Sequence, residues 1–396
     1  MSSDRINPSS HGSLLHSHLN RAVDSAANPN RRPSSARGPT AVVYAEGLFG
    51  ELDGKTANGL ARSSERYKIL SVIDSTRAGV DSGIFLEGKP NGIPVVASLD
   101  EAVNGASQVP EYFIFGIAPS SGLLSHAQRS IIMTAIARGM NVISGLHEFL
   151  SEDPAFAAAS AAAGVSITDM RKPPDSKDLH AFTGEIAGVG CPRIAILGTD
   201  CAIGKRTTAV LMTRALNDAG IHAVMVATGQ TGLIQGARYG TAMDAIASQF
   251  CAGELEAAVV RAYKEERPDV IIVEGQGALS HPAFSTSAFI LRGSQPQGVV
   301  VQHAPGRPHR CDFPDMLMPS LVREINLIEL FADTRVIGVT INHENMSETE
   351  VAAAILKYKR DLGLPVTDPL ARPNRELVQM VESAFPKLRR VDHSLA

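Results

Sequence analysis

The sequence predicts two parallel α/β domains in series, on three observations. At 396 residues the chain exceeds one ordinary domain and can supply two complete cores. From Ala41 onward, apolar runs rich in β-branched residues alternate with helix-period segments, the pattern of a parallel sheet wrapped by helices. At Arg193 to Thr208, reading RIAILGTDCAIGKRTT, a buried-strand run passes through a glycine-bounded loop into a helix start. The expected class is therefore α/β: a Rossmann-like parallel-sheet N-terminal domain over 39–190, followed by a P-loop NTPase-like α/β domain over 191–396. Residues 1–38, rich in Ser, Asn, Arg and Pro without apolar periodicity, read as a disordered tail.

The elements follow in order. Strands are expected at Ala41–Ala45, Lys68–Ile73, Ile93–Ala97, Tyr112–Ile117, Asn141–Ile143 and Val165–Thr168. Helices are expected at Thr56–Arg66, Ser98–Val103, Leu123–Arg138 and Pro154–Ala163. Asp74 closes the second strand, where dinucleotide folds place a ribose-binding acid, but the first turn has no G-x-G-x-x-G, so no nicotinamide cofactor is expected. After the connection Leu179–Gly190 come strands at Ile194–Leu197, Ala223–Ala227, Val270–Val273, Gly298–Gln302 and Val336–Ile341. Helices are placed from Lys205 and at Ala242–Phe250, Leu255–Glu265, Ser320–Phe331 and Glu348–Leu362.

Composition narrows the function classes. A net charge of −4 gives no attraction to nucleic acid or anionic membrane, and no apolar run is long enough to span a bilayer. The partner is expected to be a small-molecule substrate, in a cytoplasmic homo-oligomer. The four cysteines show no C-x-x-C pair and read as free thiols. The histidines form no H-x-x-x-H or facial-triad pattern, so no transition-metal site is expected.

The loop after the Ile194–Leu197 strand is a phosphate cradle in layout. Gly198 and Gly204 let successive backbone N–H groups turn inward, the helix start adds partial positive charge, and Lys205 supplies a full one. Five residues rather than four separate the glycines, and Arg206 stands where Ser or Thr follows the lysine in the common motif; Thr207 and Thr208 come next. Asp200 inside an anion cradle makes sense beside a cation, either magnesium or a substrate ammonium group. Cys201 lies in the same loop and is read as a small residue that fits the turn, with a nucleophilic role as the alternative.

In an open parallel sheet the ligand lies beyond the carboxyl ends of the strands. Four strand ends carry unusual residues: Thr228 to Gly232 with Gln230, Glu274 to Gly277 with Gln276 and then His281, His303 to Arg310 with Arg307, and Asn342 to Asn345. Glu274 stands where P-loop enzymes hold magnesium, and desolvation there also suits a general base. Arg307 suits a clamp on a carboxylate or phosphate.

With Gly198-Thr199-Asp200-Cys201 through Thr208, Gly229 to Gly232, Glu274 to Gly277 with His281-Pro282, Val72 to Thr76 and Arg171 to Pro174 assembled, the chain resembles the D-glutamate N-acetyltransferase family. That family was long described as a domain of unknown function. The resemblance runs from about Ala41 to the C-terminus. It implies transfer of an acetyl group from acetyl-CoA, as co-substrate, to the amine of D-glutamate. It carries over no firm catalytic residues. The roles assigned from chemistry are a base at Glu274, with Asp200 or His281 next; a CoA-phosphate site at Gly198, Thr199, Gly204, Lys205, Arg206, Thr207 and Thr208; and substrate contacts from Gln230, Gln276, His303, Arg307 and Asn342. Backbone N–H groups of Gly275 to Gly277 are expected at the oxyanion. Two alternatives remain: an ATP- and magnesium-dependent ligase or kinase similar to dethiobiotin synthetase, and a nucleotide- or CoA-binding sensor.

Overall fold

The structure, a computed structural model, describes residues 38–118 and 123–388. All of the expected tail except Gly38 lies outside the described residues.

The first sheet is built from β1 (Thr40–Tyr44), α1 (Lys55–Arg62), β2 (Lys68–Ile73), α2 (Ser82–Glu87), β3 (Val95–Val96), α3 (Leu99–Asn104), β4 (Tyr112–Phe115), α4 (His126–Ala137), β5 (Asn141–Ser144), α5 (Pro154–Ala163) and β6 (Ile167–Asp169). Its strand order is β3-β2-β1-β4-β5-β6, with parallel pairing throughout. Alternating side chains feed opposite layers. Val42, Tyr44, Phe113 and Phe115 pack with Ile132 and Ile136, while Ala41, Val43 and Ile114 pack with Ala57 and Leu60. Helix ends follow local chemistry: Asp153 caps α5 ahead of Pro154, and Gly164 ends it in the left-handed region.

The second sheet is built from β7 (Arg193–Gly198), α6 (Lys205–Asp218), β8 (Ala223–Ala227), α7 (Gln230–Gln235), β9 (Tyr239–Gly240), α8 (Ser248–Glu266), β10 (Val270–Val273), α9 (Thr286–Ser294) and β11 (Gly298–His303). It continues through the hairpin β12 (His309–Arg310) and β13 (Phe313–Leu317) to α10 (Leu321–Phe331), β14 (Arg335–Ile341), α11 (Glu348–Leu362), β15 (Val366–Thr367) and α12 (Arg375–Ala384). The order is β15-β14-β11-β7-β10-β8-β9. Wholly buried β7 lies near the centre, sending Ile194 and Ile196 to one layer and Ala195 and Leu197 to the other. The strand order turns at β7, so a loop leaving its C-terminal end enters a crevice between β10 and β11.

Three expectations change. The helices placed at Ala242–Phe250 and Leu255–Glu265 are one helix, α8, preceded by a short 3₁₀ turn at Met243–Ala245. Gly253 does not break it: the helix passes so close to the connection that a Cβ there would stand 2.2 Å from the His180 carbonyl oxygen. The segment after β8, expected as a ligand-facing strand end without a helix, coils into α7 from Gln230. Helix α2, the hairpin β12–β13, and α9 and α12 add elements beyond those expected.

The two domains pack directly. Thr56 and Thr231 hydroxyls meet at 2.8 Å, and Gln235 Nε2 donates to the Gly59 and Ser63 carbonyls, each at 2.8 Å. Arg171 reaches Asp244 through Nε at 3.0 Å and Nη2 at 2.9 Å. The start of α1 thereby sits over the strand ends of the second sheet.

Gly275 is a close-approach position. A Cβ there would stand 1.8 Å from the Ile196 carbonyl oxygen, so the backbone after β10 lies against β7 only because no side chain intervenes. Gly275→Ala is expected to cost about 3 kcal/mol or more through forced separation of the strands. Denaturant unfolding measures this, and a midpoint within error of the parent would contradict it.

Candidate active site

The cradle forms as its sequence dictates. β7 ends at Gly198, the loop turns through Asp200 to Ile203, and Gly204 at φ 100° starts α6. Lys205 is buried, and its ammonium donates to the Asp200 carbonyl oxygen at 2.5 Å. Burial pushes the Lys205 pKa down, with the negative groups of the loop opposing. The loop is tied to β11, since Thr199 N–H donates to the Gln302 carbonyl at 3.1 Å and Thr208 Oγ1 donates to Gln302 Oε1 at 2.6 Å. Gln302 is a positioning residue with no sequence signal: a polar side chain inside an apolar strand, found only because Thr208 and Thr340 converge on it.

Asp200 already has its cations. Oδ2 accepts from Arg307 Nη1 and from Cys311 N–H, both at 2.9 Å, and Arg310 Nη1 lies 3.6 Å from Oδ1. Two arginines, Arg307 from the loop before the hairpin and Arg310 from β12, supply positive charge where magnesium or a substrate ammonium was expected. Arg307 in turn differs from the expected clamp on a substrate. Its Nε and Nη2 grip Glu344 at 2.5 and 2.8 Å, and Nη1 also donates to the Cys201 carbonyl at 2.9 Å. It braces the cradle against the β14 end.

Glu274 follows β10, beside β7, and is buried. Oε2 accepts from Thr228 N–H at 3.0 Å, which places the carboxylate before the first turn of α7. Burial holds its pKa above the ordinary carboxylate range, with the Arg206 charge and the Thr228 and Gly229 N–H groups pulling the other way. Half-buried Arg206 leans on α1, where a Cβ on Gly59 would stand 2.6 Å from Nη2.

His281 is fully buried, stacked on Phe284 at 4.8 Å, with Nδ1 accepting from Ala283 N–H at 3.3 Å. Burial, then the Arg310 charge, lowers its pKa. Gln230 opens α7 and is buried against Gly145 of the first domain. Gln276 donates through Nε2 to the Thr228 carbonyl, and its own carbonyl accepts from Ser287 at 2.6 Å. Asn342 accepts from Glu344 N–H at 2.9 Å and donates to its carboxylate at 3.1 Å, so it sets the Arg307 partner. Gln276 and Asn342 thus serve the architecture of the site. His303, Arg307 and Tyr358 line a hollow of about 350 Å³. A larger one, about 410 Å³, lies at the other end of α6 with Ala215 and Arg375 and takes no part.

His303 is held by Thr199 Oγ1 at 2.9 Å from Nδ1 and by Tyr358 edge-on at 5.7 Å. Burial pushes its pKa down to about 4, so it is neutral at pH 7. Its folded value lies below the unfolded value near 6.5, so the unfolded chain binds more protons between the two. Stability is complete above about pH 6.5 and falls as pH drops toward 4. His303→Asn is expected to remove about 3 kcal/mol of that acid loss. Unfolding curves at pH 7 and pH 4 give the difference, and an unchanged pH slope would refute it.

A parallel sheet in Rossmann-like strand order, joined to a second carrying a lysine-bearing anion loop at its strand ends, defines a two-domain protein with Rossmann-like and P-loop domains. Residues 75–173 match the family model described as a domain of unknown function (DUF1611_N), Rossmann-like domain, and residues 180–378 match its partner (DUF1611_C), P-loop domain. The chain belongs to the DUF1611 family. It is similar to a D-glutamate N-acetyltransferase of Pseudoalteromonas sp, 32% identical over 293 residues, covering 71% of this chain and 84% of that one. A D-glutamate N-acetyltransferase of Tritonibacter scottomollicae is 31% identical over 263 residues, 65% of this chain and 76% of that one. The crystal structure of a DUF1611 family protein from Anabaena variabilis superposes with a TM-score of 0.79 at 30% identity, over 87% of this chain and 100% of that one. No described helix is long and apolar enough to cross a membrane.

Proposed function

We propose that the protein is an N-acetyltransferase that moves the acetyl group of acetyl-CoA to the amine of D-glutamate. The supporting observation is the adjacency of Lys205 and Glu274 at neighbouring parallel strand ends: a cation-lined anion cradle beside a carboxylate whose burial suits a base. The names of the two relatives support the substrate pair.

The adjacency bears on what the cradle holds. With a CoA phosphate on the loop, the pantetheine arm would carry the thioester well past Glu274. A carboxylate of D-glutamate on the cradle instead brings its ammonium beside Glu274. The acyl donor then enters from the side of Lys55 at the start of α1, on which the charges of Arg171, Asp244 and Arg206 act. Glu274 takes a proton from the ammonium, and the amine attacks the thioester carbonyl carbon. The tetrahedral oxyanion is met by N–H groups of Gly275 to Gly277, and its collapse breaks the C–S bond. The second proton on the attacking nitrogen passes, relayed by water, to the departing CoA thiolate, so that the amide and the free thiol leave together.

The ATP reading fits these residues less well. Arg206 fills the slot of the metal-binding hydroxyl, and the Thr208 hydroxyl is spent on Gln302. The test is thiol release from acetyl-CoA with D- and L-amino acids, with and without ATP and magnesium. Release with D-glutamate that ignores ATP is expected; ADP formation without thiol release would overturn the proposal.

A further inference from the structure

The cradle also carries a pair of thiols that acetyl transfer does not use. Cys201 lies in the loop and Cys311 in the turn between β12 and β13, both half-buried. Their Sγ atoms and an Asp200 carboxylate oxygen all lie within 4.8 Å of one another, and Cys311 Sγ is 3.7 Å from the Cys201 carbonyl oxygen. Cys201 Sγ shares a second group of the same spacing with a His281 nitrogen and an Asp312 oxygen.

His281 is the independent sign that something is recognised here. Its side chain is 0% exposed, and Nε2 has no hydrogen-bond partner among the described residues, although it stands 3.9 Å from Asp200 Oδ1 and 3.6 Å from Asp312 Oδ2. Ala283 N–H occupies Nδ1, which leaves the ring hydrogen on Nε2. The histidine therefore aims a donor rather than a lone pair at the cluster, which suits a thiolate better than a metal ion. The Cys311 S–H, working against burial and helped by the Lys205 charge, holds the Cys201 pKa below the usual thiol value; the same bond pushes Cys311 up. Cys191 and Cys251 lie in the core of the second domain, where burial raises both. A half-buried thiol of lowered pKa beside a second thiol is the arrangement of a reversible oxidation site.

We propose that Cys201 and Cys311 form a reversible oxidation site that closes the anion cradle, with a hydroperoxide as the oxidant. The Cys201 thiolate attacks the peroxide, the O–O bond breaks, and a sulfenic acid and water result. The Cys311 thiol then attacks that sulfur, the S–S bond forms and a second water leaves. Two thiols and one hydrogen peroxide give one disulfide and two waters. An S–S bond of about 2 Å draws loop and turn together. The Cys311 N–H bond to Asp200 and the Arg307 bond to the Cys201 carbonyl hang on the same segments, so the cradle loses its alignment. The inference does not rest on acetyl transfer. It needs only an anion at the loop.

The test uses the full chain, reduced and then treated with one equivalent of hydrogen peroxide, with peptide mass mapping under non-reducing conditions and calorimetric binding of inorganic pyrophosphate as the probe. A Cys201–Cys311 disulfide is expected, with pyrophosphate affinity reduced about tenfold or more and restored by dithiothreitol. Cys311→Ser removes the sulfur but not the backbone donor. It should accumulate dimedone-reactive Cys201 and no disulfide. Free thiols at both positions after treatment, or a disulfide with unchanged pyrophosphate affinity, would overturn the proposal. Reduced protein that ignores pyrophosphate would overturn the gating, while the disulfide map still decides the thiol pair and thiol release from acetyl-CoA remains a separate question.

Discussion

Replacing Lys205 by methionine is expected to lower kcat/KM about a hundredfold, with the loss falling on KM for D-glutamate rather than on KM for acetyl-CoA. The ammonium donates to a loop carbonyl, that of Asp200, rather than to a carboxylate, so a ligand anion can take it over. A charge-assisted bond in a buried site contributes about 1.5–3 kcal/mol, which sets the scale of the loss. Methionine keeps the apolar stem in the packed start of α6. Burial already works against the Lys205 charge, so the variant should fold at least as stably as the parent. Steady-state kinetics with each substrate varied, beside thermal unfolding, checks both halves. A rise confined to KM for acetyl-CoA would move the CoA phosphates onto the cradle and remove Glu274 as the base; unchanged kinetics would remove the cradle from the reaction.

The framework of this site was legible because each strand announces itself. Ile194–Leu197 and Val270–Val273 are apolar runs of strand length, buried on both faces in the structure. The rule that ligands gather at carboxyl ends then picked out Glu274, Arg307 and Asn342. Their partners were not legible, because those depend on loops folding back through space. Nothing near Asp200 in the chain says that Arg307, 107 residues later, reaches it, or that Cys311 comes within bonding distance of its carboxylate. Gln276 and Asn342 looked like ligand groups because polar residues after strands often are; here each satisfies a neighbouring backbone or carboxylate group instead. Helix α7 was hidden by Gly229 and Gly232, whose usual meaning is a turn. Gly232 is small because the Glu274 carboxylate lies there, 2.6 Å from where a Cβ would be. The thiol pair was invisible for the same reason as the arginine brace, its members being 110 residues apart.

Glu274→Gln is the substitution that separates chemistry from architecture. The carboxylate has two tasks, accepting from Thr228 N–H at the start of α7 and, in the proposed reaction, taking the ammonium proton. A glutamine carbonyl keeps the first and cannot perform the second. The expected result is a fall in kcat of about 10²–10⁴-fold, the usual worth of a positioned general base, with KM for both substrates within a few-fold of the parent. The pH profile supplies a readout that a structural role would not move. Below its pKa Glu274 is protonated and cannot act, so activity of the parent rises with pH through that value. Burial places the rise above the ordinary carboxylate range. In the glutamine variant the residual activity should lose this acid limb. A variant that loses kcat but keeps the limb at the parental pH would assign the proton transfer to another group, and a variant that unfolds at a lower denaturant concentration while retaining kcat would leave Glu274 only as the anchor of α7.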